Sequence, residues 1–212
     1  MGIDGSGKTT LSKNIKKELK LKGYNVKYLY ARYRPFLIAP IKLIAKIFLY
    51  KKNTEFKNYT NYSLIKTNYS KKHKILAKLY ALFCMIDYTI VSWPLVMIKF
   101  LFADYIIIDR YVGDLIVILA VASQLDDDEM LSYLKKLHII FPFPKQTFLI
   151  EIDEDIAFTR KDDIPSIKYL KERKEKYYVY KNFYNYKILD GRKSKTELTY
   201  DLLKQLKIER DN

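Results

Sequence analysis

Residues 2–9 read GIDGSGKT and match the pattern G-x-x-x-x-G-K-[ST] at every fixed position. Gly5 and Gly7 leave room for an anion to approach the backbone, and they permit torsions in which successive N–H groups point inward as a nest. An amphipathic pattern begins at Thr9, so the positive end of a helix would lie behind this nest. These features predict a phosphate-binding loop, whereas a plain glycine turn would not need Lys-Thr and a helix directly after it.

The same motif predicts roles for its polar side chains. We expect Lys8 to reach the β- and γ-phosphates of a nucleotide and the Thr9 hydroxyl to bind Mg²⁺, so the predicted cofactors are ATP and Mg²⁺. The pattern alone does not say whether the γ-phosphoryl group goes to water or to a substrate. The residues predicted to contact the nucleotide are Gly2, Ile3, Asp4, Gly5, Ser6, Gly7, Lys8, Thr9 and Thr10.

A loop of this kind should follow a buried central strand, but only Met1 stands before Gly2. Omission of that strand would remove hydrogen-bonding partners from two neighbouring strands and open a slot in the core. We therefore expect translation to start roughly 6 to 10 residues further upstream, one strand length away.

Apolar runs and amphipathic patterns alternate along the rest of the chain. The alternation predicts an α/β fold in three layers, a parallel sheet with helices on both faces, formed as a single domain over residues 1–212. The predicted strands are 25–30, 104–108, 147–152 and 186–189. The predicted helices are 9–22, 41–50, 74–100, 113–123, 155–161, 166–182 and 195–206, with a loop over 51–72 and a helix cap at 126–128.

The composition restricts the partners only weakly. A net charge of +15 favours anionic partners, but the excess Lys accompanies many Ile, Tyr and Asn, as an AT-rich coding sequence would produce. Lysine and tyrosine alternate at 50–69 and 177–186 and could stack on nucleic acid, but ordinary surface explains them better, so nucleic acid is not an expected partner. Cys84 is the one cysteine, which excludes an intrachain disulfide and fits a reducing, cytoplasmic location.

Residues 80–100 have the length of a membrane span. Asp87 at the centre, Pro94 and Lys99 weigh against a span, because an ionised carboxylate is costly at the middle of a bilayer. A buried helix under a sheet explains this segment better. Interfacial attachment through the lysine-rich apolar run at 38–52 is the remaining membrane alternative.

The loop and the Asp109-Arg110-Tyr111 sequence after the DYIII run resemble those of thymidylate kinases. Arg160-Lys161, after the TFLIEI run, stands where that family has its lid, at about 155–166. The resemblance implies a P-loop nucleoside triphosphate hydrolase or kinase fold with a short lid. It also implies transfer of the ATP γ-phosphoryl group to a nucleoside monophosphate, dTMP before others, and a homodimer.

The resemblance further implies roles for individual residues. Arg110 would grip the acceptor phosphate with Tyr111 beside it, and Asp109 would hold Mg²⁺ or its water shell. Asp4 would face the acceptor's sugar, and Arg160 would close over the phosphates. Two alternatives stay open: Arg110 as a structural partner of Asp109 or Asp114, and Arg160 as an exposed helix charge.

The sequence departs from the family on the acceptor side. Where the family has Arg-Glu-Pro-Gly after the second strand, this chain has Arg32-Tyr33-Arg34-Pro35, and residues 36–72 do not match. Arg32, Arg34 and Asp87 are candidate substrate contacts, although the arginines could equally face solvent and Asp87 could pair with a Lys. A kinase of another small acceptor, such as a nucleoside or sugar, and a non-catalytic ATP-binding module therefore remain alternatives.

Overall fold

The computed structural model describes residues 1–40 and 72–207, in which strands and helices alternate. The strands are β1 (Val26–Tyr30), β2 (Tyr105–Asp109), β3 (Phe148–Glu151) and β4 (Lys187–Asp190). The helices are α1 (Lys8–Leu21), α2 (Lys74–Phe100), α3 (Val112–Ser123), α4 (Asp127–Ile140), α5 (Glu154–Thr159), α6 (Ile167–Tyr178), α7 (Lys181–Tyr184) and α8 (Lys195–Gln205). The predicted α/β class is confirmed. The helix predicted at 41–50 and nearly all of the loop predicted at 51–72 lie outside the described residues.

The strands pair in parallel, as the alternating pattern predicts. Strand β1 pairs with β2 from Val26 opposite Tyr105 to Tyr30 opposite Asp109, and β3 pairs with β4. The described residues form two separate two-stranded sheets rather than the single sheet predicted. The backbone of Met1 bonds to β3, because its amine donates to the Phe148 carbonyl at 2.5 Å. The strand expected before Met1 stays a prediction.

Helix α1 is held behind the loop by one apolar face. Leu11, Ile15 and Leu19 recur every four residues and are buried in a cluster that includes side chains of α8 and of three strands. The helix stops at Gly23, which has a φ of +84°, and the Tyr24 N–H donates back to the Leu19 carbonyl at 3.2 Å. This bond and the left-handed glycine form a Schellman motif, so the predicted stop is confirmed.

Helix α2 lies with one face in the larger apolar cluster. Ala81, Cys84 and Tyr88 on that face are at most 1% exposed. By length and composition α2 could cross a membrane. Because its inward face belongs to the hydrophobic core, it is the buried helix that the sequence predicts, although its opposite face carries exposed apolar side chains.

The start of α4 is fixed by a capping box. The Asp126 carboxylate accepts a hydrogen bond from the Glu129 N–H at 2.8 Å, and the Asp126 N–H donates to the Glu129 carboxylate at 3.3 Å. This reciprocal pair satisfies N–H groups that have no partner within the helix. The predicted cap at 126–128 is confirmed.

The glycine loop lies in direct contact with the backbone of α5. Gly5 has a φ of +84°, and a Cβ atom built on it would lie 2.2 Å from the Ala157 carbonyl oxygen. Gly7 has a nearly identical φ of +88°, but a Cβ atom there would meet nothing within 4 Å. Glycine is therefore required at position 5 both because α5 lies so close and because φ is positive. At position 7 it is required for the positive φ alone.

We predict that Gly5→Ala lowers the free energy of unfolding substantially more than Gly7→Ala. Both changes place an L side chain at positive φ, which costs about 1–2 kcal/mol. Gly5→Ala must in addition push α5 away from the loop. Urea unfolding of the two variants beside the unchanged chain measures the difference, and equal losses would contradict the close contact.

Candidate phosphate-binding site

The loop and two strand ends meet at one edge of the β1–β2 sheet. Because Tyr30 lies opposite Asp109, both strands end at the same level, and the Ala31 N–H continues the ladder to the Asp109 carbonyl at 2.8 Å. Ligands of parallel α/β sheets bind beyond such carboxyl ends. Arg32 and Arg34 follow Ala31 directly and are exposed at this edge.

Lys8 folds back into its own loop. Its ammonium donates to the Ile3 carbonyl at 2.5 Å and lies 3.4 Å from the Ser6 hydroxyl, and the residue is 7% exposed. Burial, with a smaller contribution from the charge of Arg110, lowers the pKa of Lys8 to about 8. The loop thus holds an amine whose protonated form would be stabilised by a nearby anion.

Thr9 and Asp109, the two predicted metal ligands, are in contact although a hundred residues separate them in the sequence. The Thr9 hydroxyl donates to Oδ2 of Asp109 at 2.6 Å, and the Tyr28 hydroxyl donates to the same oxygen at 3.2 Å. Within residues 1–40 and 72–207 no group of three or more His, Cys, Asp or Glu could hold a metal. A hydroxyl with one carboxylate fits Mg²⁺, which is usually bound by one or two carboxylates together with substrate phosphates.

Arg110 is paired with Asp4 of the loop. Its Nη2 donates to Asp4 Oδ1 at 2.5 Å, and the Tyr169 hydroxyl of α6 donates to Asp4 Oδ2 at 2.9 Å. Burial opposes ionisation of Asp4, but Arg110 and Lys8 hold the pKa of this carboxyl well below its usual range. The direct ion-pair partner of Arg110 is therefore Asp4, rather than the Asp109 or Asp114 expected under the structural alternative.

The backbone and side chain of Arg110 both carry features typical of a binding residue. Its φ is +65°, a left-handed conformation that a non-glycine residue adopts at an energetic cost and that is concentrated at functional sites. Its Nε is buried, and it has no hydrogen-bond partner among residues 1–40 and 72–207. A buried guanidinium with an unused N–H fits a phosphate oxygen, which it could bind in a forked geometry.

Asp114 lies one helical turn beyond the motif, in α3. The Tyr177 hydroxyl of α6 donates to its Oδ1 at 2.6 Å, and both residues are buried. Burial and then Asp114 raise the pKa of Tyr177 well above its ordinary value, so the phenol keeps its proton. This bond and the Tyr169–Asp4 bond join α6 to the loop and to α3.

Three other predicted site residues make contacts away from the phosphate loop. Arg160 is exposed, and its Nη1 donates to the Gly191 carbonyl after β4 at 2.9 Å. The Tyr111 hydroxyl donates to the Pro142 carbonyl at 3.0 Å. Asp87 accepts hydrogen bonds from Tyr33 and from two backbone N–H groups, and no described Lys forms an ion pair with it. Their roles toward a substrate stay predictions.

Sequence reasoning missed two tyrosines at the site. Tyr28 bonds Asp109 and Tyr169 bonds Asp4, and neither stands in a recognisable motif. The chain has 20 tyrosines, so residue type gave no signal. For Tyr28, a position two residues before the end of β1 was the available hint, because side chains near the carboxyl end of a parallel strand border the binding edge.

No family model matches the chain. A curated protein, "Probable thymidylate kinase 1" of Saccharolobus solfataricus, is 31% identical to it over 208 residues, which is 96% of this chain and 92% of that protein. The similarity thus extends over nearly the whole of both chains, far beyond the glycine loop. Together with the geometry of the loop and of Asp109-Arg110, this places the chain in the thymidylate kinase family.

Proposed function

We propose that the protein transfers the γ-phosphoryl group of ATP to a nucleoside monophosphate, and that dTMP is the leading acceptor. The observation that carries the proposal is the contact of Thr9 with Asp109 beside the Lys8 loop, in a chain that belongs to the thymidylate kinase family. Family membership supports kinase activity in general. The choice of dTMP rests on the printed name of the relative and on the resemblance of the motifs.

The loop would hold ATP and Mg²⁺. Its backbone N–H groups and Lys8 would bind the phosphates, and Thr9 with Asp109 would hold the metal ion. When bound, Mg²⁺ would neutralise part of the negative charge of the phosphates. Arg160 and the adjacent Lys161 would add positive charge from the lid once Arg160 leaves the Gly191 carbonyl, so catalysis would consist mainly of positioning and charge stabilisation.

The acceptor would bind on the β1–β2 side of the site. The Nε of Arg110, which has no partner in the described part of the chain, supports a role for this side chain in binding the acceptor phosphate. Arg32 and Arg34 are exposed at the same edge and would contribute further positive charge. We place this activity in a single P-loop domain of the cytoplasm with a lid at 155–166, and family resemblance supports a homodimer.

The activity test is ADP release from Mg-ATP with dTMP and a panel of other monophosphates, nucleosides and sugars. We expect saturable release of ADP with dTMP. The rate should fall at least a hundredfold in Lys8→Ala, because this side chain would contact the transferred phosphate. Lys13→Ala is the matched control, since Lys13 is an exposed lysine of the same helix.

Each other result of this assay changes the proposal in a defined way. Turnover with a different acceptor alone would keep the mechanism and reject dTMP. ATP binding without release for any acceptor would favour a non-catalytic nucleotide-binding module.

We predict that ATP binding takes up a proton at pH 8.5. The pKa of Lys8 is about 8 in the ligand-free loop, so a large fraction of this amine is neutral at pH 8.5. A phosphate beside Lys8 raises that pKa and draws a proton from the buffer. Titration calorimetry of Mg-ATP in two buffers of different ionisation enthalpy measures the uptake.

Lys8→Arg is the control for this titration, because arginine stays charged at pH 8.5 in both states and should show no uptake. An unchanged chain that shows the same buffer-independent heat as Lys8→Arg would contradict the lowered pKa.

A further inference from the structure

Asp87 is a buried carboxylate whose described partners all come from one short segment. The residue lies on α2 and is 1% exposed. Its Oδ2 accepts hydrogen bonds from the Tyr33 hydroxyl at 3.0 Å and from the Phe36 N–H at 2.9 Å, and its Oδ1 accepts from the Leu37 N–H at 3.0 Å. We call this arrangement the Asp87 clasp.

The clasp holds the middle of a segment that is also fixed at both ends. At one end the Ala31 N–H bonds to the Asp109 carbonyl at 2.8 Å, and at the other end Ile38 is buried in the main apolar cluster. The ring of Tyr33 packs edge-on against Tyr88, with centroids 6.3 Å apart. Residues 31–38 are thus tied to β2, to α2 and to the core.

Two exposed arginines lie between these attachments. Arg32 stands between the ladder residue Ala31 and the clasped Tyr33, and Arg34 stands between Tyr33 and the clasped Phe36. Between Ala31 and Ile38, the clasp and the contact of Tyr33 with Tyr88 hold the backbone that carries them. The Asp87 clasp therefore restricts where the two guanidinium groups can reach.

A carboxylate suits this position better than a neutral acceptor. Two adjacent backbone N–H groups and a hydroxyl point at the Asp87 carboxylate, and hydrogen bonds to a charged acceptor are the stronger ones. Burial alone would raise the pKa of Asp87, but the N–H groups of Leu37 and Phe36 and the Tyr33 hydroxyl hold it below its usual value. Asp87 therefore stays ionised in the clasp, with its negative charge stabilised by these neutral donors.

We propose that Asp87 is a positioning residue that holds Arg32 and Arg34 at the rim of the site, where they bind the phosphate of the acceptor nucleotide. This inference rests on the proposed kinase function. It assigns Asp87 to the placement of the acceptor-binding arginines rather than to direct contact with the substrate. Substitution of Asp87 would then weaken binding of the acceptor nucleotide and leave the binding of ATP at the Lys8 loop unchanged.

The first test compares Asp87→Asn and Tyr33→Phe with the unchanged chain in steady-state kinetics. Asp87→Asn turns an amide N–H₂ toward groups that donate, so we expect the acceptor KM to rise about tenfold with the KM for ATP unchanged. Tyr33→Phe removes the hydroxyl donor and leaves the backbone donors in place, so it should raise the acceptor KM by a smaller factor. Thr89→Ala is the matched control, because its hydroxyl bonds only within α2, to the Met85 carbonyl, among the described contacts.

A double-mutant cycle separates positioning from a general loss of structure. In a chain that already carries Arg32→Ala and Arg34→Ala, adding Asp87→Asn should change the acceptor KM less than twofold, because the groups it positions are gone. Hydrogen exchange gives an independent readout. The amides of Phe36 and Leu37 should exchange faster in Asp87→Asn, while those of β1 and β2 keep their rates.

The outcomes distinguish this inference from the proposed function. If the unchanged chain shows no acceptor-dependent turnover, the kinase function fails and the inference fails with it. If the unchanged chain is active, an unaltered acceptor KM in Asp87→Asn overturns the inference alone. Equal rises in both KM values, full additivity in the cycle, or unchanged exchange at Phe36 and Leu37 would also overturn it.

Discussion

The buried ion pair between Asp4 and Arg110 is the interaction on which the site depends. It joins the glycine loop to the residue that follows β2, and the Lys8 ammonium lies in the same loop. Unpaired charges at this depth would be strongly destabilising, so each must find a partner of opposite charge or a set of hydrogen bonds. The ion pair therefore fixes the loop relative to the end of β2, in addition to the apolar packing around them.

Tyrosine hydroxyls complete this network. Tyr28, Tyr169 and Tyr177 each donate to a different carboxylate of the site. A tyrosine can bury its ring in the apolar core and still present one donor at its tip, so it satisfies a buried carboxylate without adding another charge. Because Tyr169 and Tyr177 lie on α6, the helix after the lid segment is bound directly to the site.

Much of the fold and the centre of the site could be predicted because their signals are local. The glycine loop, the stop at Gly23 and the cap at Asp126 each depend on residues a few positions apart. The partners of Asp87 and Arg160 could not be predicted, since they come from segments 50 and 31 residues away that carry no motif. Which strands pair with one another also escaped prediction, because an apolar run indicates a strand but does not identify its neighbours.

The Asp87 clasp limits which segments of this protein could be replaced by the corresponding segments of a relative. The hydrogen-bond donors of the clasp lie in residues 33–37, and the carboxylate that accepts from them lies 50 to 54 residues later, on α2. A graft of residues 33–37 alone would separate these donors from Asp87. It would leave either a buried carboxylate or backbone N–H groups without partners. In this protein the turn after β1 and the inner face of α2 form one structural unit, and an exchange that keeps the clasp would have to carry both.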